Sequence, residues 1–159
     1  MLTFGRLLKR HDRKGFDCGN EALNDYLQRR ASQEMKCGDA VCHVLTEDDG
    51  NEILGFFTLS SASISSTGLR TLCGSKFFYA EAGFFLLVRL AVSKKAQGRG
   101  IGTLLVNEAI RITVQSGIGA HGLIVDLKDE QLFDFYKRFG FLSFPDNKLR
   151  MVLIVRQKT

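Results

Sequence analysis

The chain has little of what would tie it to a metal, a disulfide framework or a membrane. Its 159 residues include four cysteines and three histidines. Cys18, Cys37, Cys42 and Cys73 form no C-x-x-C pair, and His11, His43 and His121 stand far apart in the sequence. That spacing predicts no metal site and no disulfide scaffold, and points to a reducing compartment, the cytosol. Proline occurs once, at Pro145, and no linker, internal repeat or low-complexity tract interrupts the chain. No apolar run approaches the about 20 residues that cross a bilayer. Arg6, Lys9, Arg10 and Arg13 break up the N-terminus and exclude a signal peptide there. What remains is 45% hydrophobic and 25% charged, which suits one domain with its own core over residues 1–159. Lys and Arg total 22 against 17 Asp and Glu, a net charge of +5 that is compatible with an anionic ligand or RNA.

The most informative stretch is Gln97-Gly98-Arg99-Gly100-Ile101-Gly102-Thr103. It lies between an apolar run, Phe84 to Val92, and a helical pattern, Leu104 to Val114. Glycines at a strand-to-helix turn let the backbone turn tightly and approach an anion, while the helix dipole adds to the field of the outward N–H groups. A pyrophosphate is the expected guest. The turn is not a P-loop, because no lysine stands at Gly102 or Thr103. Nor is it the dinucleotide fingerprint, because the glycines alternate strictly at 98, 100 and 102.

A second segment follows. Gly122 to Leu127 reads as a short buried strand, and Asp129 to Phe139 as a helix with Leu132, Phe133, Phe135, Tyr136 and Phe139 on one apolar face. Gly140 ends it and Phe141 begins the next strand. The first turn resembles the Gln/Arg-x-x-Gly-x-Gly/Ala loop of the GNAT superfamily of acyl-CoA N-acyltransferases. Phe135-Tyr136-Lys137-Arg138-Phe139-Gly140-Phe141 is similar to that superfamily's second signature, Phe-Tyr followed by Gly-Phe. The resemblance implies acetyl-CoA as co-substrate and no metal. Its pyrophosphate would lie on Gln97, Gly98, Arg99, Gly100, Ile101, Gly102 and Thr103, and its thioester and pantetheine arm on the backbone of Leu90, Ala91 and Val92. Tyr136 would serve the departing thiolate. Read without the resemblance, Tyr136 is an aromatic core residue on an apolar face.

Three further stretches narrow the resemblance. His11 to Leu27, with its Asp17-Cys-Gly-Asn-Glu21 core, is similar to the opening of GNAT toxins from type II toxin–antitoxin modules. So are Ile53-Leu-Gly-Phe-Phe-Thr-Leu-Ser60 and Arg89-Leu-Ala-Val92. The family's usual tyrosines are absent at Phe56 and Phe57. The resemblance implies acetylation of the α-amino group of aminoacyl-tRNA, a block of translation, and a ribbon-helix-helix antitoxin as partner, and it allows a homodimer. Two other readings stay open: a GNAT acting on a small-molecule amine or a protein N-terminus, which shares every cofactor residue, and a non-enzymatic CoA-binding or partner-binding module with a degenerate site, against which the intact Gln97 loop and Tyr136 argue.

The rest of the chain fits an α/β class with a mixed central sheet flanked by helices, the single-domain GNAT fold. A helix is expected from Asp17 to about Met35, with Leu23, Tyr26, Leu27 and Ala31 facing inward. Strands are expected at Ala40–Thr46, Ile53–Ser60, Phe84–Val92 and Arg150–Val155, and a loop with a short helix over Ser61–Ser75. Phe84 to Val88 is apolar throughout, as in a central strand buried on both faces.

No side chain stands out as a general base. A lysine amine, with pKa near 10.4, costs roughly 4 kcal/mol to deprotonate at neutral pH, whereas an α-amino group near 8 costs about 1 kcal/mol. The missing base therefore suits an α-amine acceptor. Arg6, Lys9, Arg10, Arg13 and Lys14, with Arg29 and Arg30 on the first helix, are candidate RNA contacts, and the alternative is a solvated basic face.

Overall fold

The computed structural model describes residues 1–74 and 77–155. Seven strands form one sheet in the order β1-β2-β3-β4-β5-β7-β6. The strands are β1 (Leu2–Arg6), β2 (Val41–Glu47), β3 (Gly55–Ser65), β4 (Glu81–Val92), β5 (Gly122–Asp126), β6 (Leu142–Ser143) and β7 (Arg150–Ile154). Strand β4 pairs in parallel with β5. Helix α4 (Ile101–Gln115) makes the crossover that a parallel pair requires. β1 with β2, β2 with β3, and β7 with both β5 and β6 are antiparallel. This is the mixed sheet expected. β5 is buried from Gly122 to Val125, as an interior strand with cover on both faces should be.

The chain forms two compact units, Met1–Ser60 with Val88–Ala109, and Ser61–Leu87 with the described part of Ile110–Thr159. In the first, Leu7, Phe16, Tyr26, Leu27, Ala31, Val44 and Phe56 form the core. Its helical segment starts at the N-cap Asn20, whose side chain accepts from Leu23 N–H. It runs as α1 (Glu21–Asp25), a π-helical turn (Tyr26–Arg30) and α2 (Ala31–Cys37), and Gly38 ends it in the left-handed conformation at φ 82°. In the second unit, α3 (Ser66–Cys73) contributes Leu69 to a core with Phe77, Phe84, Ile124 and Val152. A 3-10 turn, Glu130–Leu132, leads into α5 (Phe133–Lys137). No helix of the described residues is long and apolar enough to cross a membrane.

Several expectations shift. β1 has no counterpart in the sequence reading: its five residues show no clean alternation, and its register is fixed by pairing with β2. β3 runs on to Ser65, into the expected loop, and α3 is the short helix expected within Ser61–Ser75, whose last residue lies outside the described residues. The helix expected at 129–139 is shorter, and of its apolar face only Tyr136 is buried, while Leu132 is exposed. β4 is not buried on both faces along Phe84 to Val88, because Val88 is 36% exposed. Its ladder with β5 covers Phe85 to Leu87 and stops there.

Gly122 stands on β5 where β7 passes close to its Cα. A Cβ there would collide with the Leu153 carbonyl of β7. Gly122→Ala is expected to lower stability by about 2–3 kcal/mol in urea denaturation. Gly83→Ala, whose Cβ would meet Gly119 O at 3.6 Å, is expected to be tolerated.

Candidate functional site

The end of β4 leads straight into the glycine turn. Ser93 N–H donates to Leu54 O at 2.8 Å, a 3-10 turn follows over Lys94–Ala96, and Gln97 is extended. Gly98 and Gly100 have φ of 82° and 74°, and a Cβ on either would meet nothing within 4 Å. Backbone conformation therefore demands glycine at these two positions, and the turn leaves open space beside them. Gly102 lies inside α4, so its glycine answers no left-handed requirement. Ile101 is buried and pins the start of α4, whereas Arg99 and Thr103 are exposed. The first turn of α4 leaves N–H groups free for an anion, and Leu104 N–H already bonds Gly100 O at 3.2 Å.

Gln97 does something its motif does not announce. Its Nε2 donates to Val92 O at 3.1 Å and to Cys18 O at 3.2 Å. One carboxamide thus ties the turn to the end of β4 and to the segment before α1. Lys94 reinforces the tie: its N–H donates to Asp17 O at 2.8 Å and its Nζ lies 3.5 Å from Asp17 Oδ2. The Asp17 carboxylate also accepts from Gly19 N–H at 2.9 Å and from Asn24 Nδ2 at 3.0 Å. Asn24 Oδ1 in turn accepts from Cys18 N–H at 2.9 Å. The Gly19 backbone bond, then the Asn24 amide and Lys94, hold the Asp17 carboxyl below its usual value. The Asp-Cys-Gly-Asn string is therefore a polar knot that supports the turn.

Leu90, Ala91 and Val92 lie on the part of β4 that extends past the last rung of the β5 ladder at Leu87. Arg89 stands just before them. Its guanidinium carbon is 3.8 Å from the centre of the Tyr26 ring, and Glu34 accepts from the Tyr26 hydroxyl at 2.9 Å. Sequence reasoning placed Tyr26 in the core and gave Arg89 and Glu34 no role, because three residues from three elements share no local pattern.

In the second unit, Tyr136 on α5 is buried, with edge-on contacts to Phe135 at 5.0 Å and Phe141 at 5.4 Å. Burial pushes its phenol up to about 12, so the proton stays on the oxygen throughout the neutral range. His43 stacks on Phe57 at 5.0 Å, and His121 packs beside Phe77 at 4.7 Å.

The candidate RNA contacts divide. Arg10 is engaged by the β2–β3 turn, with bonds to Asp49 O, Gly50 O and Asn51 Oδ1 and an ion pair to Asp49 Oδ1 at 2.7 Å. Arg13 is half-buried and bonds Leu8 O at 3.2 Å. Arg29 pairs with Asp25 at 2.9 Å, and Arg30 lies over the Tyr26 ring at 5.5 Å. Arg6, Lys9 and Lys14 are exposed.

The glycine turn and the tyrosine segment both fall within a match to the acetyltransferase (GNAT) family over residues 11–141. The chain belongs to this family. It is 30% identical to a tRNA-acetylating toxin of Mycobacterium tuberculosis, over 95% of this chain and 90% of that one. A solved structure of AtaT complexed with acetyl-methionyl-tRNAfMet aligns with a TM-score of 0.85 at 27% identity, covering 97% of this chain and 95% of that one. A mutant AtaT toxin bound to the C-terminus of the antitoxin AtaR and acetyl-CoA aligns with a TM-score of 0.79 at 25% identity, covering 97% and 93%.

His11 opens the N-terminal signature and carries a pH dependence. It is buried, and its Nδ1 accepts from Leu8 N–H at 2.9 Å, which requires the neutral ring. Burial, then the charge of Arg10, lowers its pKa from 6.5. As pH falls below about 6.5 the unfolded chain takes up the proton first, so stability declines until the folded value is passed. Between pH of about 7.5 and about 5.5, the melting temperature of the parent is expected to fall more than that of His11→Asn. Equal losses in the two proteins would assign the effect to another group.

Proposed function

We propose that this chain is an acetyl-CoA-dependent N-acetyltransferase toxin that acetylates the α-amino group of aminoacyl-tRNA and so blocks translation. Residues 1–159 act as one catalytic domain in the cytoplasm, held in check by a cognate ribbon-helix-helix antitoxin. The observation that carries the reading is the 30% identity to a tRNA-acetylating toxin across 95% of the chain. The AtaT structures with acetylated tRNA, and with antitoxin and acetyl-CoA, support the same substrate and partner.

The residues present fit acetyl-CoA. Two left-handed glycines with open space beside them, at the start of a 15-residue helix, suit a pyrophosphate. Backbone N–H groups from Gly98 to Thr103 would hold it, with Arg99 as an exposed counter-charge. Gln97 acts by fixing the turn. The stretch of β4 beyond the β5 ladder, Leu90 to Val92, would hold the pantetheine arm through main-chain hydrogen bonds. When bound, acetyl-CoA supplies an acetyl group activated as a thioester.

Tyr136 holds a proton at its hydroxyl, available as a hydrogen bond to a departing thiolate. With its phenol near 12 and an ordinary thiol near 8.5, a hydrogen bond is favoured over complete proton transfer. The proton that finally resides on sulfur then comes from the amine or from water. An α-amine needs only about 1 kcal/mol to lose its proton at neutral pH, so no strong base is required.

The test mixes the purified protein, labelled acetyl-CoA and tRNA, either charged or chemically deacylated. Label is expected only on charged tRNA, and it should leave with the amino acid when the ester is hydrolysed. Labelling of small amines without charged tRNA would place the protein among small-molecule GNATs instead. Tyr136→Phe is expected to keep the fold and acetyl-CoA affinity while slowing transfer by about 10²–10³, the loss of one hydrogen-bond donor to developing negative charge. Turnover within a few-fold of the parent would return Tyr136 to a packing role.

A further inference from the structure

We propose that Arg89, set against the ring of Tyr26 with Arg30 nearby, is a receptor for a phosphodiester of the RNA acceptor. The proposal rests on the reading of that acceptor as aminoacyl-tRNA. Tyr26 is a fixed platform. It is 1% exposed, packs against Phe56 with ring centres 6.2 Å apart, and donates its hydroxyl to Glu34 Oε2 at 2.9 Å. Arg89 lies over this ring at 3.8 Å, and the side chain is still 24% exposed.

The guanidinium is oriented but not consumed. Glu34 Oε1 approaches Nη1 at 3.7 Å, outside hydrogen-bond distance, and among the described residues Arg89 has no hydrogen bond within 3.5 Å. The same protein shows what a closed arginine pair looks like. Arg150 grips Asp126 through two bonds of 2.7 and 2.8 Å. Arg89 lacks such a grip, so its planar fork of donors remains available. Arg30 adds a second cation 5.5 Å from the same ring centre. Two guanidiniums thus lie against one ring, while the carboxylate beside Arg89, that of Glu34, already accepts from the Tyr26 hydroxyl.

A fork of N–H donors stacked on an aromatic ring and short of anionic charge suits the paired oxygens of a phosphate. The position in the chain narrows the source. Arg89 immediately precedes Leu90 to Val92, whereas the turn proposed for the pyrophosphate of the co-substrate begins at Gln97. An acceptor whose amine is acetylated at the end of β4 brings its own phosphodiesters with it.

The experiment compares steady-state kinetics of the parent, Arg89→Gln and Arg89→Lys with two acceptors. One is charged tRNA and the other is the same amino acid esterified to adenosine, which has no phosphate. For Arg89→Gln the KM for charged tRNA is expected to rise about tenfold, the loss of one charge-assisted contact. The KM for acetyl-CoA and the kinetics with the phosphate-free ester should stay within about twofold of the parent. The slope of log(kcat/KM) for charged tRNA against log[salt] should become shallower by about 0.7–0.9, as removal of one phosphate contact requires.

Equal losses with both acceptors would overturn the proposal and make Arg89 a support of β4. A raised KM for acetyl-CoA would overturn it in favour of the co-substrate's phosphates. Should Arg89→Gln fail to fold, Arg89→Lys decides. It keeps the charge and loses the fork, so a loss confined to charged tRNA supports the proposal and no loss overturns it. A parent protein that labels no charged tRNA would instead remove the functional reading on which the proposal stands.

Discussion

One side-chain amide holds the candidate site together. Gln97 Nε2 reaches the carbonyls of Val92 and Cys18, and so binds the end of a strand, a glycine turn and the approach to a helix at one point. A turn with two left-handed glycines is intrinsically loose, because glycine gives up the most backbone freedom when it is ordered. Tying it down within the protein spares the ligand that ordering cost. The choice of side chain follows from the partners. Two carbonyls require a donor with two hydrogens, which an amide has and a carboxylate lacks. Lys94 and Asp17 repeat the connection through a second pair of residues, so the turn is held from both sides.

The parts of the fold legible in the sequence are those written in short local patterns. The glycine turn, the Phe-Tyr segment and the apolar strands each occupy fewer than a dozen neighbouring residues. β1 was not legible because an edge strand of five residues takes its register from its partner rather than from its own alternation. Val88 misled for a related reason: an apolar residue says nothing about where a ladder ends, and that of β4 with β5 ends at Leu87. At the site, the segment before α1 could be matched to a family but not understood, because its purpose appears only when Asp17 and Cys18 meet Lys94 and Gln97 across the chain. The bonds that hold the exposed Arg10 to the β2–β3 turn were not legible either, because their partners lie about 40 residues further on.

The same structure constrains the chemistry from two directions. Tyr136 is buried enough to keep its proton, which suits a group that must be protonated when a thiolate departs and makes it a poor base. The basic side chains are thinned by structural duties: Arg10 and Arg13 are engaged within the fold, while Arg6, Lys9 and Lys14 remain at the surface. For an RNA backbone the positions of these side chains therefore matter more than the net charge of +5.

The π-helical turn at Tyr26–Arg30 has an effect on alignment along the helix. In an α-helix each residue advances by about 100°, so side chains eight apart point roughly 80° away from each other while those seven apart nearly coincide. The wide turn, closed by Ala31 N–H on Tyr26 O, accommodates one residue more than an α-helical turn and sets the phase back by about that angle. Glu34 thereby comes under the Tyr26 hydroxyl although the two are eight positions apart. The extra residue works as a phase shifter between the two halves of the segment. Deleting one residue from it would restore a regular helix and leave Glu34 seven positions on, still under the Tyr26 hydroxyl, whereas tightening the turn to α-helix with every residue kept would swing the side chains of α2 by about 80° around the axis.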